Sequence, residues 1–330
     1  MTRDREQKES GAALLAVLFL VAIMSVAGLA ILEVTGRAIT RAKLVDAQAQ
    51  SLWFVAGADE VGKAELGVLR RSGSLNLTLS NPVLTTPYVF ASPAGGTMTA
   101  TLRDGSNCFN VNSVVTLDEF EEKVVEETNM LAFRHLLQAY DVPEGEAEAL
   151  TDALIDWIDD DRRSRDRGAE DSAYIRRNTP HRTSGQLLDS VSELRAIVGF
   201  EAELVSAMEP VLCARPDTEV SSYNINTMLP YHAGLITAAF GGEVSLFQAA
   251  AIIDSRPPGG WSSVEDFMNQ PDIAAVPEES RSSGAFSDMS NRLILEGTAT
   301  IGGARQNFTL VYSVSTDSPV QTVRRIFGEG

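Results

Sequence analysis

The chain has 330 residues, 44% of them hydrophobic and 22% charged, a globular composition that excludes wholesale disorder and a polytopic membrane protein. Its 45 acidic residues outnumber 27 basic ones, and the resulting formal charge of −18 disfavours nucleic acid as a partner because phosphates would be repelled. With two cysteines and three histidines, a structural zinc site of the Cys₄ or Cys₂His₂ type is very hard to build.

The N-terminal region contains one candidate membrane span. A polar segment precedes residues 12–32, which carry no charge and match the roughly 20 apolar residues that cross a bilayer as one helix. The alternative is a cleaved secretory signal, with Ser25, Val26 and Ala27 as a small-residue cleavage site. Both interpretations place the bulk of the chain outside the cytoplasm.

A glycine stands at the border between the polar leader and the apolar stretch. Gly11 followed by Ala12 resembles the type III leader of pilins and pseudopilins, and this resemblance implies that a prepilin peptidase cuts between the two residues. The apolar helix would then remain on the mature protein. Most of that family has glutamate at the fifth mature position, where this chain has Ala16. A subunit without the glutamate need not pair with a neighbour above it, which fits a filament tip.

The segment after the span is predicted to be a helix up to about Arg70, followed by short strands. Strands are expected at residues 75–79, 88–90 and 98–102, and Asp104 with Gly105 is typical of a hairpin turn. Apolar residues recur along the helix at intervals of three and four, which predicts one packing stripe. The residues of that stripe are Val45, Ala49, Leu52, Val55 and Ala56.

From Leu117 to about Met268 the residue pattern is typical of helices, and after that it is again typical of strands. Residues 293–301 and 308–314 form a predicted hairpin around Gly302 and Gly303, and residues 320–327 add a further strand. Strands on both sides of a helical block predict an α+β fold: a long N-terminal helix packed on a small antiparallel sheet, with a large α-helical domain inserted between strands.

This layout resembles the type II secretion minor pseudopilin family known as general secretion pathway protein K. The resemblance implies a pilin-like domain with a helical insertion, bound calcium and a place at the pseudopilus tip. It also implies I- and J-type minor pseudopilins, the major pseudopilin filament and the prepilin peptidase as partners, and a single-pass protein of the bacterial inner membrane with its bulk in the periplasm. The residues that carry it are Gly11 with Ala16, 108–112, 154–161, 168–171 with Tyr174, 192–195 and 223–227.

The resulting division of the chain has five parts. They are a leader (1–11), a transmembrane helix (12–32), a pilin-like helix with the first strands (33–115), an inserted α-helical domain (116–290) and the strands that complete the sheet (291–330).

An acidic region between Asp141 and Asp171 holds twelve carboxylates and four arginines. Its spacing from Asp159 does not match an EF-hand, because Ser164 stands where that loop requires glycine. One interpretation is a solvated loop in which the carboxylates pair with arginines 162, 163, 165 and 167. The other, which the resemblance favours, is a calcium site of a different type. Its candidate ligands are Asp156, Asp159, Asp161, Glu170 and Asp171.

The two cysteines, Cys108 and Cys213, are predicted to form a disulfide, since an even pair outside the cytoplasm favours one. Two separate buried thiols are the alternative.

Catalysis and nucleic-acid binding find little support in the sequence. Residues 224–253 resemble a helix-hairpin-helix or SAM-like unit, but Arg256 is almost the only basic residue nearby. We therefore expect a structural role, in which Asn224 and Asn226 cap or brace a turn. The histidines adjoin no nucleophile motif. The alternative to the pseudopilin is a periplasmic metal-dependent hydrolase, exported by an ordinary signal peptide and dependent on Asp159.

Overall fold

The structure is a computed structural model that describes residues 3–92, 95–177, 179–281 and 283–328, with the backbone alone for residues 3–13, 279 and 283. The helices are α1 Arg3–Arg71, α2 Pro82–Thr85, α3 Glu127–Ala139, α4 Glu144–Ile158, α5 Asp171–Tyr174, α6 Ala202–Met208, α7 Ala233–Ala239, α8 Leu246–Asp254, α9 Val264–Met268 and α10 Pro271–Ala274. The strands are β1 Tyr88–Ser92, β2 Gly96–Asp104, β3 Phe109–Asn110, β4 Val115–Leu117, β5 Lys123–Val125, β6 Leu212–Cys213, β7 Tyr223–Asn224, β8 Phe286–Ser287, β9 Arg292–Ile301, β10 Ala304–Ser313 and β11 Gln321–Phe327.

The N-terminal half of α1 stands free of the rest of the chain. From Leu14 onward it is long and apolar enough to cross a membrane once, judged by length and composition, and its apolar side chains are exposed. The backbone of Gly11 and Ala12 lies within α1, while their side chains are outside the described part.

The second half of α1 packs on the sheet, but not through the stripe that the sequence predicted. Val55, Ala58 and Leu66 enter the core, whereas the other members of the predicted stripe face outward. Helical periodicity shows that α1 has an apolar face and leaves open which surface covers it.

α1 packs against a five-stranded antiparallel sheet with the strand order β1-β2-β9-β10-β11. Alternate residues of β2, Met98, Ala100 and Leu102, point into the shared core. The predicted β9–β10 hairpin is present, and Gly302 and Gly303 both have positive φ, as its tight turn requires.

A mainly helical insertion separates β2 from β9 and has a core of its own. The chain leaves the sheet at Asp104 and returns at Arg292, so the insertion begins before the predicted residue 116. Phe109 and Val115 already lie in its core, where α3, α4, α7 and α8 pack together around Phe133, Leu154 and Leu235. Short two-stranded ladders supplement the helices.

Two short elements differ from prediction because tertiary contacts determine them. The predicted strand at 75–79 is irregular: Leu75 O accepts from Ser290 N, and Leu77 O accepts from Asn224 Nδ2, so this backbone bonds to the insertion. Asp104 and Gly105 form no hairpin. Gly105 N donates to Arg292 O and continues the pairing of β2 with β9 for one more residue.

Candidate metal centre

The acidic region folds into the last turn of α4 and a loop that returns along it. Asp152 and Asp156 are buried on one face of α4, one helical turn apart, and Asp159 caps the helix end. The loop then runs back past α4 to Glu170, which is the N-cap of α5. This return places carboxylates from both ends of the loop beside one another.

Asp156 holds the loop in place. Its carboxylate accepts hydrogen bonds from Arg165 N at 3.2 Å and from Ser164 Oγ at 3.3 Å. Glycine at position 168 leaves room for this carboxylate, because a Cβ there would collide with Asp156 Oδ2. Burial raises the pKa of Asp156, and the loop's hydrogen bonds oppose that rise. Asp156 therefore holds the loop that leads from Asp159 to Glu170.

The nearby arginines pair with other carboxylates. Asp152, which sequence analysis missed although it shares a helical face with Asp156, accepts from Arg134 Nη2 at 3.0 Å and Arg165 Nε at 3.1 Å. Arg167 lies 3.2 Å from Glu148. Within the described ranges, no ion pair reaches Asp159, Asp161 or Glu170, so the nearby arginines do not neutralise these three carboxylates.

Asp159, Asp161 and Glu170 converge. Each offers a carboxylate oxygen, and these atoms all lie within 4.8 Å of one another. Asp159 Oδ1 and Glu170 Oε1 are buried and have no hydrogen-bond partner among the described residues. Burial, together with the charges of Asp161, Asp156 and Glu170, raises the pKa of Asp159 to about 7. Unpaired buried carboxylate oxygens at this spacing are the donor set that a hard divalent cation takes.

The fifth predicted ligand, Asp171, faces a different part of the chain. Its Oδ1 accepts from Thr183 N at 3.1 Å and from Thr183 Oγ1 at 3.2 Å, and its Oδ2 lies 3.4 Å from Arg182. Thr183 Oγ1 also lies 3.4 Å from Glu170 Oε2. Asp171 and Thr183 thus position Glu170. The contact between Thr183 and Glu170 spans 13 residues, so local spacing could not reveal it.

The disulfide and Asn112 join segments of the insertion that are distant in sequence. Cys108 and Cys213 are bonded in the structure, where β3 pairs in parallel with β6. Asn112 donates to Leu188 O and Arg215 O, at 2.9 and 2.6 Å, and accepts from Leu188 N. In the chain-entropy model, closing a loop of this length stabilises the fold by about 4–5 kcal/mol.

Asn224 and Asn226 brace a turn, as predicted. Asn224 Oδ1 accepts from Asn226 N at 2.9 Å, and the Asn226 side chain exchanges two hydrogen bonds with the backbone of Trp261. Asn224 Nδ2 also donates to Asp104 Oδ2, across the junction between the sheet and the insertion.

Comparison with known proteins identifies the family. Residues 107–217 and 223–287 match two family profiles, both described as Type II secretion system (T2SS), protein K. The chain is 32% identical over 262 residues to Type II secretion system protein K of Pectobacterium carotovorum, with 78% of each chain covered. It is 31% identical over 305 residues to that of Klebsiella pneumoniae, with 90% of each covered.

A solved structure shares the fold. The crystal structure of the GspK-GspI-GspJ complex from enterotoxigenic Escherichia coli contains a chain that superposes with a TM-score of 0.72 at 27% identity, covering 88% of this chain and 100% of that one. With its long apolar helix, its antiparallel sheet interrupted by a helical insertion, and these matches, the chain belongs to the type II secretion system protein K family.

Proposed function

We propose that this chain is a minor pseudopilin that caps the tip of the periplasmic pseudopilus and initiates its assembly with other minor pseudopilins, in a structural and not a catalytic role. Family membership and the K–I–J complex of the structural neighbour support this role. The observation that carries it is the insertion between β2 and β9. Such a head beside the filament axis would obstruct the addition of a subunit above it.

The partners of α1 in this proposal are the helices of the I- and J-type subunits. Val45, Ala49, Leu52 and Ala56 follow one another at intervals of four, three and four residues, and all four are exposed. That spacing forms the seam of a helix-helix pair. Because the chain's own sheet leaves this seam uncovered, it is available to other pseudopilins or to the major filament.

A bound calcium ion completes the centre at Asp159, Asp161 and Glu170 in this proposal. Calcium prefers oxygen ligands and would neutralise three carboxylates that have no basic partner in the described structure. Asp156 and Asp171 would not bind the ion directly. Asp156 would hold the returning loop, and Asp171 would fix Thr183 beside Glu170. The ion would supply charge neutralisation and a link between the end of α4 and the start of α5.

The N-terminus of the mature protein tests the central proposal. We expect co-expression with a prepilin peptidase to yield cleavage between Gly11 and Ala12, and expression without it to leave the leader in place. Intact mass of the N-terminal peptide measures both. In this proposal the chain is a single-pass protein of the inner membrane, with its bulk in the periplasm.

Cleavage near Ala27 in the absence of the peptidase would overturn the proposal. It would remove the apolar helix and leave the exported hydrolase as the better hypothesis. Gly11→Leu provides the matched control, because it changes the residue before the cut and leaves the apolar helix intact.

A further inference from the structure

A second cavity, away from the acidic centre, contains two arginines. It has a volume of about 310 Å³ and lies where the segment after β6 meets the start of β9 and the end of β10. Arg215 and Arg292 line it, together with hydroxyl groups that include Ser315 and Thr316. Arg215 is only 3% exposed, and its Nε and Nη2 have no hydrogen-bond partner among the residues that the structure describes. In a chain of net charge −18, a buried guanidinium without a direct partner is unexpected.

The surrounding backbone holds both arginines in place. Arg215 N donates to Asn110 Oδ1 at 3.1 Å, and Arg215 O accepts from Asn112 Nδ2 at 2.6 Å. On the opposite wall, Arg292 N donates to Ser106 Oγ at 3.3 Å. Each arginine is thus anchored through its backbone by a buried polar side chain, and Nε and Nη2 of Arg215 remain unused as hydrogen-bond donors among the described residues.

The acidic side chains nearby leave the donors of Arg215 unsatisfied. Asp217 Oδ2 forms an ion pair with Arg292 Nη2 at 3.7 Å, and Glu219 is exposed at the cavity wall. Burial and the charge of Arg292 lower the pKa of Arg215 to about 10, against the opposing charges of Asp217 and Glu219, so the side chain remains a cation in neutral solution. These acids offset part of the charge, but Nε and Nη2 of Arg215 still have no acceptor among the described residues.

We propose that this cavity is a binding site for an oxyanion, in which Arg215 and Arg292 provide the charge and the fork of donors that suits a phosphate, a sulfate or a carboxylate. The cavity exceeds the size of a tetrahedral oxyanion, so a carboxylate side chain presented by another protein also fits. The shared chemistry is a compact anion with two or more oxygens. It comes either from free inorganic anions or from an acidic residue of a partner.

Isothermal titration calorimetry of the full-length protein in detergent tests the site at constant ionic strength. The probes are inorganic phosphate and N-acetylaspartate N-methylamide, which stands for an aspartate side chain in a peptide. We expect at least one probe to bind saturably with a Kd below about 10 mM, which corresponds to a weak but specific site. Phosphate alone would identify the occupant as a free anion, and the aspartate derivative alone would identify it as a partner's carboxylate.

Three exposed or partly buried positions provide the variants, since Arg215 itself could be needed for folding. Arg292→Gln should weaken binding at least about tenfold, because one of two charge-assisted contacts is lost. Glu219→Gln should tighten it several-fold, because it removes a competing negative charge. Arg305→Gln, on β10 and away from the cavity, makes the same charge change as Arg292→Gln and should leave the affinity unchanged.

Two results would overturn the proposal. One is the absence of saturable binding for both probes, and the other is equal affinity in the original protein and in Arg292→Gln. The pseudopilin role could stand in either case, because N-terminal processing measures it separately.

Discussion

His232 is buried at the junction of the sheet and the insertion and is held there as a neutral imidazole. Its Nδ1 accepts a hydrogen bond from Leu229 N at 2.9 Å, so this nitrogen carries no proton. Burial, followed by the positive charge of Arg103, lowers the pKa of His232 from 6.5 to about 4. The unfolded chain therefore takes up a proton at a higher pH than the folded chain does.

We expect His232 to lower the free energy of unfolding as pH decreases from about 6.5 to about 4, and its effect levels off below that. The raised pKa of Asp159 acts in the opposite direction, so the difference between the original chain and His232→Asn isolates the contribution of His232. The full contribution of His232 is up to about 3 kcal/mol, because each pKa unit is worth about 1.4 kcal/mol. Urea unfolding at pH 7.5, 5.5 and 4 measures it. His232→Asn keeps an acceptor for Leu229 N but has no group that titrates, so it should remove this contribution from the pH profile. An unchanged profile in His232→Asn would assign the effect to other groups.

Asp159→Asn should change the stability of the protein in opposite directions in the presence and absence of calcium. With calcium at 100 times its Kd, binding should stabilise the protein by about 2.7 kcal/mol. Asp159→Asn should lose that gain. In a chelator, the same variant should be more stable than the original chain, by on the order of 1 kcal/mol after solvent screening, because one repelling charge is gone. Thermal melting in each condition measures both effects.

Asp166→Asn is the matched control for the centre. Asp166 lies in the same loop and is exposed, so its variant changes the charge by the same amount outside the cluster of Asp159, Asp161 and Glu170. It should keep the full calcium response. Calcium-independent melting of the original chain would contradict the proposed ion.

At the scale of elements, the edge strand β11 is attached to α1 by one buried ionic contact. Asp59 is 2% exposed, and its Oδ2 accepts from Arg325 Nε and Nη2 at 2.9 and 2.7 Å. Its Oδ1 accepts from Thr322 Oγ1 at 2.6 Å. Burial and this charge raise the pKa of the adjacent Tyr312. The bond joins the helix to the last strand, 266 residues later in sequence.

Arg325→Gln should destabilise the protein by about 3 kcal/mol, because it leaves Asp59 buried without its counter-charge. Asp59→Asn should cost less, since Arg325 is half exposed and regains water. The double variant should be more stable than Arg325→Gln alone. Urea unfolding with a double-mutant cycle measures this coupling, and strictly additive losses would show that the two side chains act independently.

The elements were predictable where the pattern is local. The β9–β10 hairpin has both a glycine pair and alternating apolar residues, and α4 has strong helical spacing, so both could be found from the sequence. Residues 75–77 alternate like a strand, and Leu75 and Leu77 are buried, yet they bond to the insertion instead of the sheet. Alternation determines which side chains are buried, while the backbone partner depends on the assembled fold.

The candidate site shows the same limit. Asp159, Asp161 and Glu170 could be chosen from a dense acidic run, because three carboxylates without a cationic partner require an explanation. Asp152 and Thr183 could not, since their roles depend on a loop that folds back along α4. Likewise, no sequence pattern distinguishes Arg215 from the paired arginines elsewhere in the chain.

At the scale of the whole molecule, the exposed seam of α1 predicts how the chain joins its partners. Leu52→Glu places a charge in the middle of that seam and should weaken association with I- and J-type subunits at least about tenfold, because the charge would have to be buried in an apolar contact. Co-purification and light scattering measure it. Val61→Glu adds the same charge to an exposed position of α1 outside the seam and should assemble normally. Equal assembly of both variants would exclude this face as the contact.

The junction between the sheet and the insertion has a consequence for how the molecule can vary. Asp104 pairs with Leu293 in the β2–β9 register, and Gly105 N donates to Arg292 O, so the insertion departs and returns on neighbouring strands. β2 and β9 are thus paired as in a β-hairpin, and the whole insertion is the loop that connects them. Because the cost of closing a loop grows only with the logarithm of its length, the pairing of β2 with β9 depends little on how long that loop is. The insertion could therefore be exchanged or shortened while the two strands keep their register, provided that the hydrogen bonds it makes to Leu75, Leu77 and Asp104 are replaced.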